Sequence, residues 1–340
     1  MASDYVLVFD VGGTQLRCGL YDPARDELVR WIHVQTPSFL VHPDKSQREL
    51  RDDLYCAMKR VAADLDPREH SVVSIGFAGP LDSRGNVLQA PTIWGTGAQP
   101  EPLSRELRRM WPAARIVVAN DVSAAGYGFL RSPDEDFCVI TVSSGIGHKI
   151  FIDGRPVVGS GGYGGEIGHV RIDFSDDAPV CDCGGRGHLS AFASGRATAY
   201  QATRLKDADP ELFSKSSLCH DLGGDVTKLD NARMAEAFHE GDPWTEQLVR
   251  RMATPLGRAL AGIHLTVGVE RFVLMGGFAS ALGDPYLDFI ADAARISDWQ
   301  RKDCWRRMLE LGSSGAEPGL LGAGRMAMGR AASWSHPERS

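Results

Sequence analysis

The sequence of 340 residues lacks the features of several broad protein classes. No apolar stretch reaches the roughly 18 residues of a membrane-spanning helix, and no basic segment followed by an apolar one opens the chain, so we expect neither a membrane partner nor a signal peptide. No long basic run is present and the formal net charge is −7, whereas a nucleic-acid-binding protein normally carries a basic face. The sequence therefore predicts no nucleic-acid partner.

Cysteine is also scarce, with seven residues scattered along the chain. A disulfide framework needs paired cysteines, so this odd number predicts a reducing compartment and a cytoplasmic location. The remaining composition, 43% hydrophobic and 24% charged, is typical of a globular protein. The length exceeds one ordinary hydrophobic core and predicts two domains. Residues 332–340 show no periodicity, and we expect them to form a frayed tail.

Two nucleotide-binding signatures are missing as well. The P-loop pattern Gly-x-x-x-x-Gly-Lys-Ser/Thr does not occur, which excludes that class of phosphate site. No predicted strand is followed by Gly-x-Gly-x-x-Gly at the start of a helix, which argues against a dinucleotide-binding fold.

The chain does contain a series of short apolar runs, typical of buried strands, that are separated by segments whose apolar residues recur with helical periodicity. This alternation of strands and helices predicts an α/β fold. Strands are predicted at residues 5–10, 15–21, 72–77, 116–119, 137–142, 148–152 and 272–275. Helices are predicted at residues 48–65, 191–206, 231–240, 244–267 and 318–331, and another begins near Val122. A strand, a glycine turn and a second strand occur at residues 5–21 and again at 137–152, which indicates two related halves.

Three of the predicted strands end in small residues: Gly12-Gly13-Thr14, Ser144-Gly145 and Gly276-Gly277. In open α/β sheets, ligands bind beyond the carboxyl ends of strands, and the exposed backbone amides of such turns suit anionic phosphate. One glycine turn alone carries little information, because such turns are common. Three together, with the carboxylates Asp10 and Asp121, predict one large phosphate-bearing ligand.

The most concentrated group of reactive side chains lies between Glu166 and His188, a span of 23 residues. It holds two imidazoles and two thiols, the usual protein ligands of tetrahedral zinc: His169, Cys181, Cys183 and His188. Glycines at positions 184, 185 and 187 let the loop fold back so that these ligands converge. Four protein ligands leave no open position, so the pattern predicts a structural zinc ion. The alternative is two unbound cysteines in a surface loop beside two unrelated histidines, and the Cys-x-Cys-Gly-x-x-Gly spacing favours zinc over it.

Six segments, spread over nearly the whole chain, resemble in their order the motifs of the ROK family of sugar kinases: Asp10-Val11-Gly12-Gly13-Thr14, Gly79-Pro80 with Ala90-Pro91, Asn120-Asp121, Ser144-Gly145-Ile146-Gly147, Glu166-Ile167-Gly168-His169 and Gly276-Gly277. The resemblance implies the actin-like ATPase fold, which is ribonuclease H-like and has two α/β domains around a cleft. It implies a smaller domain at residues 1–119, on which the helix of residues 318–331 packs back, and a larger domain with the zinc loop at residues 120–317. It also implies an ATP-dependent carbohydrate kinase that uses Mg²⁺ and forms a homodimer.

The resemblance further implies a role for each motif. Asp121 is the general base that takes the proton of the attacking hydroxyl, and Asp10 orients Mg²⁺ or its waters. The phosphates of ATP contact Gly12, Gly13, Thr14, Ser144, Gly145 and Gly147, while the adenosine is flanked by Gly276 and Gly277. The sugar contacts Gly79, Thr92, Asn120, Asp121, Glu166, His169 and Ser190. From the residues alone, alternatives stay open: Asp121 can cap the helix after it, Asn120 and Asp10 can be turn residues, and Glu166 can be a surface acid.

This chain departs from the family pattern at several positions. Thr92 stands where the family has an asparagine, and Ser190 stands where it has a glutamate. His188 replaces a third cysteine, which still leaves a zinc site of two cysteines and two histidines. His148 and Lys149 stand where glycines are common, so the phosphate site is expected to be more crowded or more basic.

Because two sugar-reading side chains differ, we expect phosphorylation of the primary hydroxyl of a modified substrate, an amino sugar such as kanosamine or a C7 cyclitol, with plain glucose as the alternative. Two further alternatives are a transcriptional repressor and a non-catalytic sugar sensor. A repressor of this family carries a helix-turn-helix before the first motif, where only nine residues precede Asp10. A sensor is expected to lack the base Asp121, which is present here.

Overall fold

The computed structural model describes residues 4–299, 304–313, 315 and 317–329. The described parts of Met1–Glu135, Phe151–Gly164 and Gly315–Ser340 form one compact unit, and those of Asp136–Ile150 and Gly165–Ser314 form a second. The tail predicted at residues 332–340 lies outside the described residues. Among the described helices, none is long and apolar enough to cross a membrane.

Two five-stranded sheets organise the chain. The strands are β1 Val6–Val11, β2 Gln15–Asp22, β3 Glu27–Gln35, β4 Val72–Phe77, β5 Arg115–Asn120, β6 Phe137–Val142, β7 Ile146–Ile152, β8 Arg155–Pro156, β9 Phe272–Met275 and β10 Leu309–Leu311. The sheet orders are β3-β2-β1-β4-β5 and β10-β9-β6-β7-β8. In the first sheet β1 is antiparallel to β2 and parallel to β4, and in the second β6 is parallel to β9. Both sheets are therefore mixed.

The helices that pack on these sheets are mostly short. They are α1 Gln47–Leu65, α2 Pro91–Trp94, α3 Leu103–Met110, α4 Asp121–Gly128, α5 Ser190–Ala193, α6 Thr198–Ala208, α7 Pro210–Ser214, α8 Ser217–Asp221, α9 Asn231–His239, α10 Pro243–Val267, α11 Gly277–Ser297, α12 Trp305–Met308 and α13 Glu317–Ala327. Helix α1 starts at a capping box, in which Ser46 and Glu49 bond each other's backbone amides. Its buried face, which includes Leu50, Leu54 and Met58, joins the core of the first sheet.

Helix α4 belongs to the first unit, whereas the sequence predicts a boundary after residue 119. A Cβ at Gly76 of β4 would lie 2.9 Å from Ala124 Cβ of α4, so the glycine lets this helix lie directly on the strand. On its other side, a Cβ at Gly128 would lie 3.0 Å from the Cα of Pro318 in α13. Because α4 packs against both β4 and α13, the first unit continues to Glu135.

Several elements are absent from the sequence predictions, and the two longest of them are strand β3 and helix α11. Strand β3 lies at the edge of its sheet, and most of its side chains are half-buried or exposed, so it shows no clear apolar alternation. Helix α11 contains Gly283, with non-helical backbone angles, and Pro285. These two residues break the helical pattern.

Three predicted boundaries also differ from the structure. The predicted helix of residues 191–206 is divided into α5 and α6 by a 3-10 turn at Gly195–Ala197. Strand β7 begins at Ile146, so Gly147 lies inside a strand and the glycine turn before it is shorter than predicted. The predicted C-terminal helix of residues 318–331 corresponds to α13, which ends at Ala327.

Candidate active site

The turn after β1 gathers three predicted site residues of the first unit. The carbonyl of Gly12 accepts a hydrogen bond from Thr36 Oγ1 (2.8 Å), and that of Thr14 accepts one from the Thr36 amide (3.1 Å). Gly13 leaves no room for a side chain, since a Cβ there would lie 2.7 Å from Thr92 Cβ. Thr92, in the short helix α2, therefore packs directly on the glycine turn.

Asp10 faces Arg17 directly across the β1–β2 hairpin. Arg17 Nη1 lies 2.6 Å from Asp10 Oδ2. Burial raises the pKa of Asp10, and the charge and hydrogen bond of Arg17 oppose that rise. The sequence predictions omit Arg17, although a hairpin with its turn at residues 12–14 pairs position 10 with position 17 and could have identified it.

Asn120 and Asp121 stand at the junction of β5 and α4. The side-chain oxygen of Asn120 accepts from the amides of Val122 (3.1 Å) and Ser123 (3.2 Å), which makes Asn120 the N-cap of α4. Its NH2 group donates to the Gly79 carbonyl (3.2 Å) and to Asp121 Oδ1 (2.8 Å). The capping role considered for Asp121 thus belongs to Asn120. The direct sugar contact of Asn120 stays a prediction, because its amide already makes these four bonds.

The loop around Gly79 closes back on itself through a glycine. Gly79 has a φ of +132°, and a Cβ there would collide with the carbonyl of Gln89. The position therefore requires glycine for shape, independently of any substrate.

In the second unit, the predicted phosphate turn and the predicted adenosine turn follow two neighbouring parallel strands. The turn of Ser144 and Gly145 follows β6, and Gly276 follows β9, which is parallel to β6. Gly276 caps α11 with a φ of +99°. Among the described residues, no heavy atom beyond the chain neighbours and the glycine's own helix lies within 4 Å of a Cβ built at Gly145 or Gly277, so both turns border open space. The N-terminus of α11, which sequence reasoning missed, adds the positive end of a helix dipole at this edge.

Glu166 is held from both sides by strand β7. The carbonyl of Gly165 accepts from the His148 amide (3.2 Å), and the Ile167 amide donates to His148 Nδ1 (3.2 Å). Lys149 Nζ lies 3.8 Å from Glu166 Oε1. Burial, and then the charge of Lys149, lower the pKa of His148 to about 4, so its imidazole is neutral near pH 7.

Ser190 starts α5 and faces the interior. Its hydroxyl accepts a hydrogen bond from the Ile146 amide (3.2 Å), and its carbonyl accepts from Ser194 Oγ (2.7 Å). The side chain is buried. The structure therefore gives Ser190 a partner in β7, and its predicted sugar contact stays a prediction.

The four predicted zinc ligands converge. Cys181 Sγ lies 3.8 Å from His169 Nδ1, and Cys183 Sγ lies 3.2 Å from His188 Nδ1. The ligand atoms of His169, Cys181, Cys183 and His188 all lie within 4.8 Å of one another. Burial raises the pKa of Cys181 and lowers that of His188, whose neutral form is the one that binds metal.

Glycine geometry makes this convergence possible. Gly184 and Gly187 both have positive φ, at 85° and 71°. A Cβ at Gly185 would collide with the imidazole ring of His188. The amide of Cys181 donates to the Gly185 carbonyl (2.7 Å) and closes the loop.

The predicted residues thus form two groups, each within one unit. The first group consists of Asp10, Gly12, Gly13, Thr14, Gly79, Thr92, Asn120 and Asp121. The second consists of Ser144, Gly145, Gly147, Glu166, His169, Cys181, Cys183, His188, Ser190, Gly276 and Gly277. Each group includes glycine turns and at least one carboxylate.

Known proteins resemble the chain over most of its length. A profile of the ROK family matches residues 6–329. The C(7)-cyclitol 7-kinase of Streptomyces hygroscopicus subsp. limoneus is 36% identical over 331 residues, which cover 96% of this chain and 94% of that protein. The kanosamine kinase of Amycolatopsis mediterranei (strain S699) is 28% identical over 229 residues, which cover 66% of this chain and 67% of that protein.

A solved structure extends the likeness to the fold. The ROK family glucokinase from Streptomyces griseus, in complex with glucose and AMPPNP, is 28% identical, with a TM-score of 0.73 over 95% of this chain and 99% of its own. With the two mixed sheets, this likeness confirms the predicted actin-like ATPase fold class. Because the family profile spans nearly the whole chain and these relatives are kinases, the chain belongs to the ROK family and is an ATP-dependent carbohydrate kinase.

Proposed function

We propose that the chain transfers the γ-phosphoryl group of ATP to the primary hydroxyl of a C7 cyclitol. The observation that carries this choice is the similarity to the C(7)-cyclitol 7-kinase, which is higher in identity and longer in coverage than the similarity to the kanosamine kinase. Kanosamine is the second candidate acceptor and glucose the third. All three present a hydroxymethyl group on a six-membered ring, so one transfer chemistry serves them all.

Asp121 is the general base in this proposal. The NH2 group of Asn120 and the Val122 amide donate to Asp121 Oδ1 at 2.8 and 2.9 Å, and these bonds fix the orientation of the carboxylate. Asp121 takes the proton of the acceptor hydroxyl while that oxygen forms a bond to the γ-phosphorus. The bond from the γ-phosphorus to the bridging oxygen breaks at the same time, and ADP leaves with the electron pair.

The glycine turns bind ATP. Gly145 borders open space in the phosphate turn after β6, and Gly277, on the adenosine side, borders open space at the N-terminal end of α11, where backbone amides and the helix dipole favour an anion. Mg²⁺ bound to the nucleotide would neutralise charge on the transferred group. The carboxylate of Asp10 offers the oxygen chemistry that this ion prefers, and Arg17 holds one of its oxygens in place.

The cysteine and histidine cluster fits a structural zinc ion. Ligand atoms around tetrahedral zinc, at bonds of about 2.0–2.3 Å, stand roughly 3.3–3.8 Å apart. The two measured thiol-to-imidazole distances, 3.8 and 3.2 Å, are close to this spacing. The ion would stabilise the segment that carries both His169 and the proposed acceptor ligand Glu166.

Small side chains on the acceptor side support a modified substrate. Thr92 and Ser190 are short and neutral, whereas the resemblance leads us to expect an asparagine and a glutamate there. A glutamate that binds a sugar hydroxyl discriminates strongly, because a mismatched acceptor leaves a buried charge unpaired. Without it, an acceptor altered away from the hydroxymethyl group meets a smaller penalty.

The test compares kcat/KM for a C7 cyclitol, kanosamine and glucose with ATP as donor. We expect the cyclitol to exceed glucose by at least about tenfold, the usual worth of one matched contact. Thr92→Asn, alone and with Ser190→Glu, should move the preference toward glucose, whereas Ser214→Glu at the exposed end of α7 should not. Thr92→Asn is tested alone as well, because Ser190 is buried and the larger glutamate side chain at position 190 needs additional space. A wide preference of the wild type for glucose would contradict the proposal.

The proposal includes the homodimer and the cytoplasmic location predicted from the sequence. Light scattering of the purified protein tests the first, and cell fractionation tests the second. A monomer at micromolar concentration would contradict the proposed homodimer. Recovery of the protein in a membrane or secreted fraction would contradict the proposed cytoplasmic location.

A further inference from the structure

We propose that Lys149 is a positioning residue for the acceptor, and that it acts by holding the carboxylate of Glu166. The inference rests on the proposed function, in which Glu166 contacts the acceptor. Lys149 Nζ lies 3.8 Å from Glu166 Oε1, and both residues belong to the second unit. Glu166 is among the residues that the sequence assigns to acceptor binding, whereas Lys149 is not, because it was singled out there only as a departure from the family pattern.

The two members of this ion pair differ sharply in exposure. The side chain of Lys149 is 3% exposed, whereas that of Glu166 is 42% exposed. Lysine is rarely buried without a charged partner, because removing an ammonium group from water is costly. The cation thus approaches the carboxylate from the interior, and the exposed part of the carboxylate stays accessible to a ligand.

The chain makes room for the lysine at the residue next to Glu166. Gly165 has a φ of +82°, and a Cβ there would collide with the carbonyl oxygen of His148 and would also lie 2.7 Å from Lys149 Cδ and 2.8 Å from Lys149 Nζ. A larger residue at position 165 would therefore strain the backbone first and displace the ammonium group as well. This close approach indicates that Gly165 and Lys149 form one arrangement around Glu166.

Three contacts to one strand fix Glu166. The carbonyl of Gly165, just before Glu166, accepts a hydrogen bond from the His148 amide. The amide of Ile167, just after Glu166, donates a hydrogen bond to His148 Nδ1. The side chain is paired with Lys149. A carboxylate held in this way accepts a hydroxyl hydrogen at one place only, so Lys149 contributes to acceptor specificity without touching the acceptor.

The first test is Lys149→Met, which keeps the length of the side chain and removes its charge. We expect the KM for the acceptor to rise about tenfold to a hundredfold, because a carboxylate without its ion-pair partner is less well placed for the acceptor, while the KM for ATP changes by less than about twofold. Lys206→Met is the matched control, because Lys206 is half-buried in the same unit and donates to the Gly224 carbonyl (2.7 Å). That control should leave both KM values unchanged.

A double-mutant cycle with Glu166→Gln separates positioning from packing. If Lys149 acts through Glu166, Lys149→Met in the Glu166→Gln background should change the acceptor KM by less than about twofold. An equal rise in both backgrounds, or no rise in the wild-type background, overturns the proposal. Should Lys149→Met fail to fold, Lys149→Gln enters the same cycle, since it keeps a polar side chain in the buried site.

The cycle also distinguishes the failure of this inference from the failure of the proposed function. If Glu166→Gln alone leaves the acceptor KM unchanged, Glu166 does not contact the acceptor and the proposed function loses that ligand. If Glu166→Gln raises the acceptor KM and Lys149→Met does not, only the role of Lys149 is wrong.

Discussion

At the scale of single residues, the junction of β5 and α4 combines a helix cap with the proposed base. The amide of Asn120 caps the helix with its oxygen and donates to Asp121 with its nitrogen. An amide side chain has two donor hydrogens and two acceptor sites, and all four are used here. The stability of the helix start and the orientation of the Asp121 carboxylate therefore depend on the same side chain.

Asp121→Asn should lower kcat by about 10²–10⁴-fold, the usual contribution of a positioned general base. The fold should persist, because the new side chain still offers an oxygen to the Val122 amide. Steady-state kinetics and thermal unfolding measure the two effects. Asp134→Asn, at an exposed loop position of the same unit, is the control and should leave kcat unchanged. Near-normal turnover of a folded Asp121→Asn variant would remove Asp121 from the role of base.

At the scale of elements, the loop from His169 to His188 has few buried apolar side chains, so in our proposal the zinc ligands take the place of a hydrophobic core. Several of its apolar side chains are exposed, with Phe174 at 75% and Val180 at 56%. Such a loop gains little from burial, so the proposed zinc ion would supply much of its order.

We expect one zinc ion per chain in protein purified without added metal, measured by mass spectrometry of the metal content. His188→Cys should retain the ion, because thiolate and imidazole both bind zinc, whereas Cys181→Ser should lower its occupancy and the stability of the loop. Cys219→Ser in α8 is the control, since that thiol lies outside the cluster. A metal-free preparation with full activity and normal stability would contradict the zinc site.

A comparison of predicted and observed secondary-structure elements shows which of them can be predicted from the sequence. Strands β1 and β4 are buried apolar runs followed by glycine or small residues, and β2 begins directly after the glycine turn; their predicted bounds agree with the structure to within a residue or two. The edge strand β3 gives no such run, because one of its faces is exposed and the other is only half-buried. Helix α11 is not predicted because Gly283 and Pro285 are both unfavourable inside a helix. Only packing in the folded chain offsets that cost.

In the candidate site too, features that depend on the local sequence are predictable, whereas features that depend on distant contacts are not. The glycine turns are predictable, because the need for positive φ or close backbone approach belongs to the turn itself. The pairing of Asp10 with Arg17 and of Lys149 with Glu166 depends on strand register and on a loop that returns to β7. The predicted hairpin could have identified the contact of Asp10 with Arg17, whereas the linear sequence contains the charges of Lys149 and Glu166 but not the contact between them.

At the scale of the whole molecule, one arginine links the end of the chain to its beginning. Arg325 in α13 pairs with Asp26 through two nitrogens, both at 3.1 Å. Its third nitrogen donates to the carbonyls of Tyr127, Gly128 and Leu130 at 3.2, 3.0 and 3.3 Å. These contacts bring together three distant parts of the first unit.

Arg325→Met should destabilise the first unit by about 2–4 kcal/mol, because it removes the cationic partner of Asp26 and a donor shared by three backbone carbonyls. Hydrogen exchange measured by mass spectrometry should show faster exchange in α4 and α13 and no change in the second unit. Arg306→Met is the control, because Arg306 pairs with Asp284 and Asp288 on the exposed surface of the second unit and should contribute less than about 1 kcal/mol. Equal effects of the two variants would show that Arg325 is not the link we infer.

The place of α13 at the end of the chain has a consequence for how the protein is made. This helix supplies Leu320, Ala323 and Ala327 to the core that covers Val6, Val8 and Tyr21. A ribosome releases the strands of the first sheet early and this helix near the end, after all of the second unit has been synthesised. Domains usually fold in order of synthesis. Here the synthesis of the first unit starts before that of the second, but the first unit cannot finish folding until α13 has been synthesised. One face of its nascent sheet therefore stays uncovered during most of translation, and chaperones that bind apolar strands would meet the protein there.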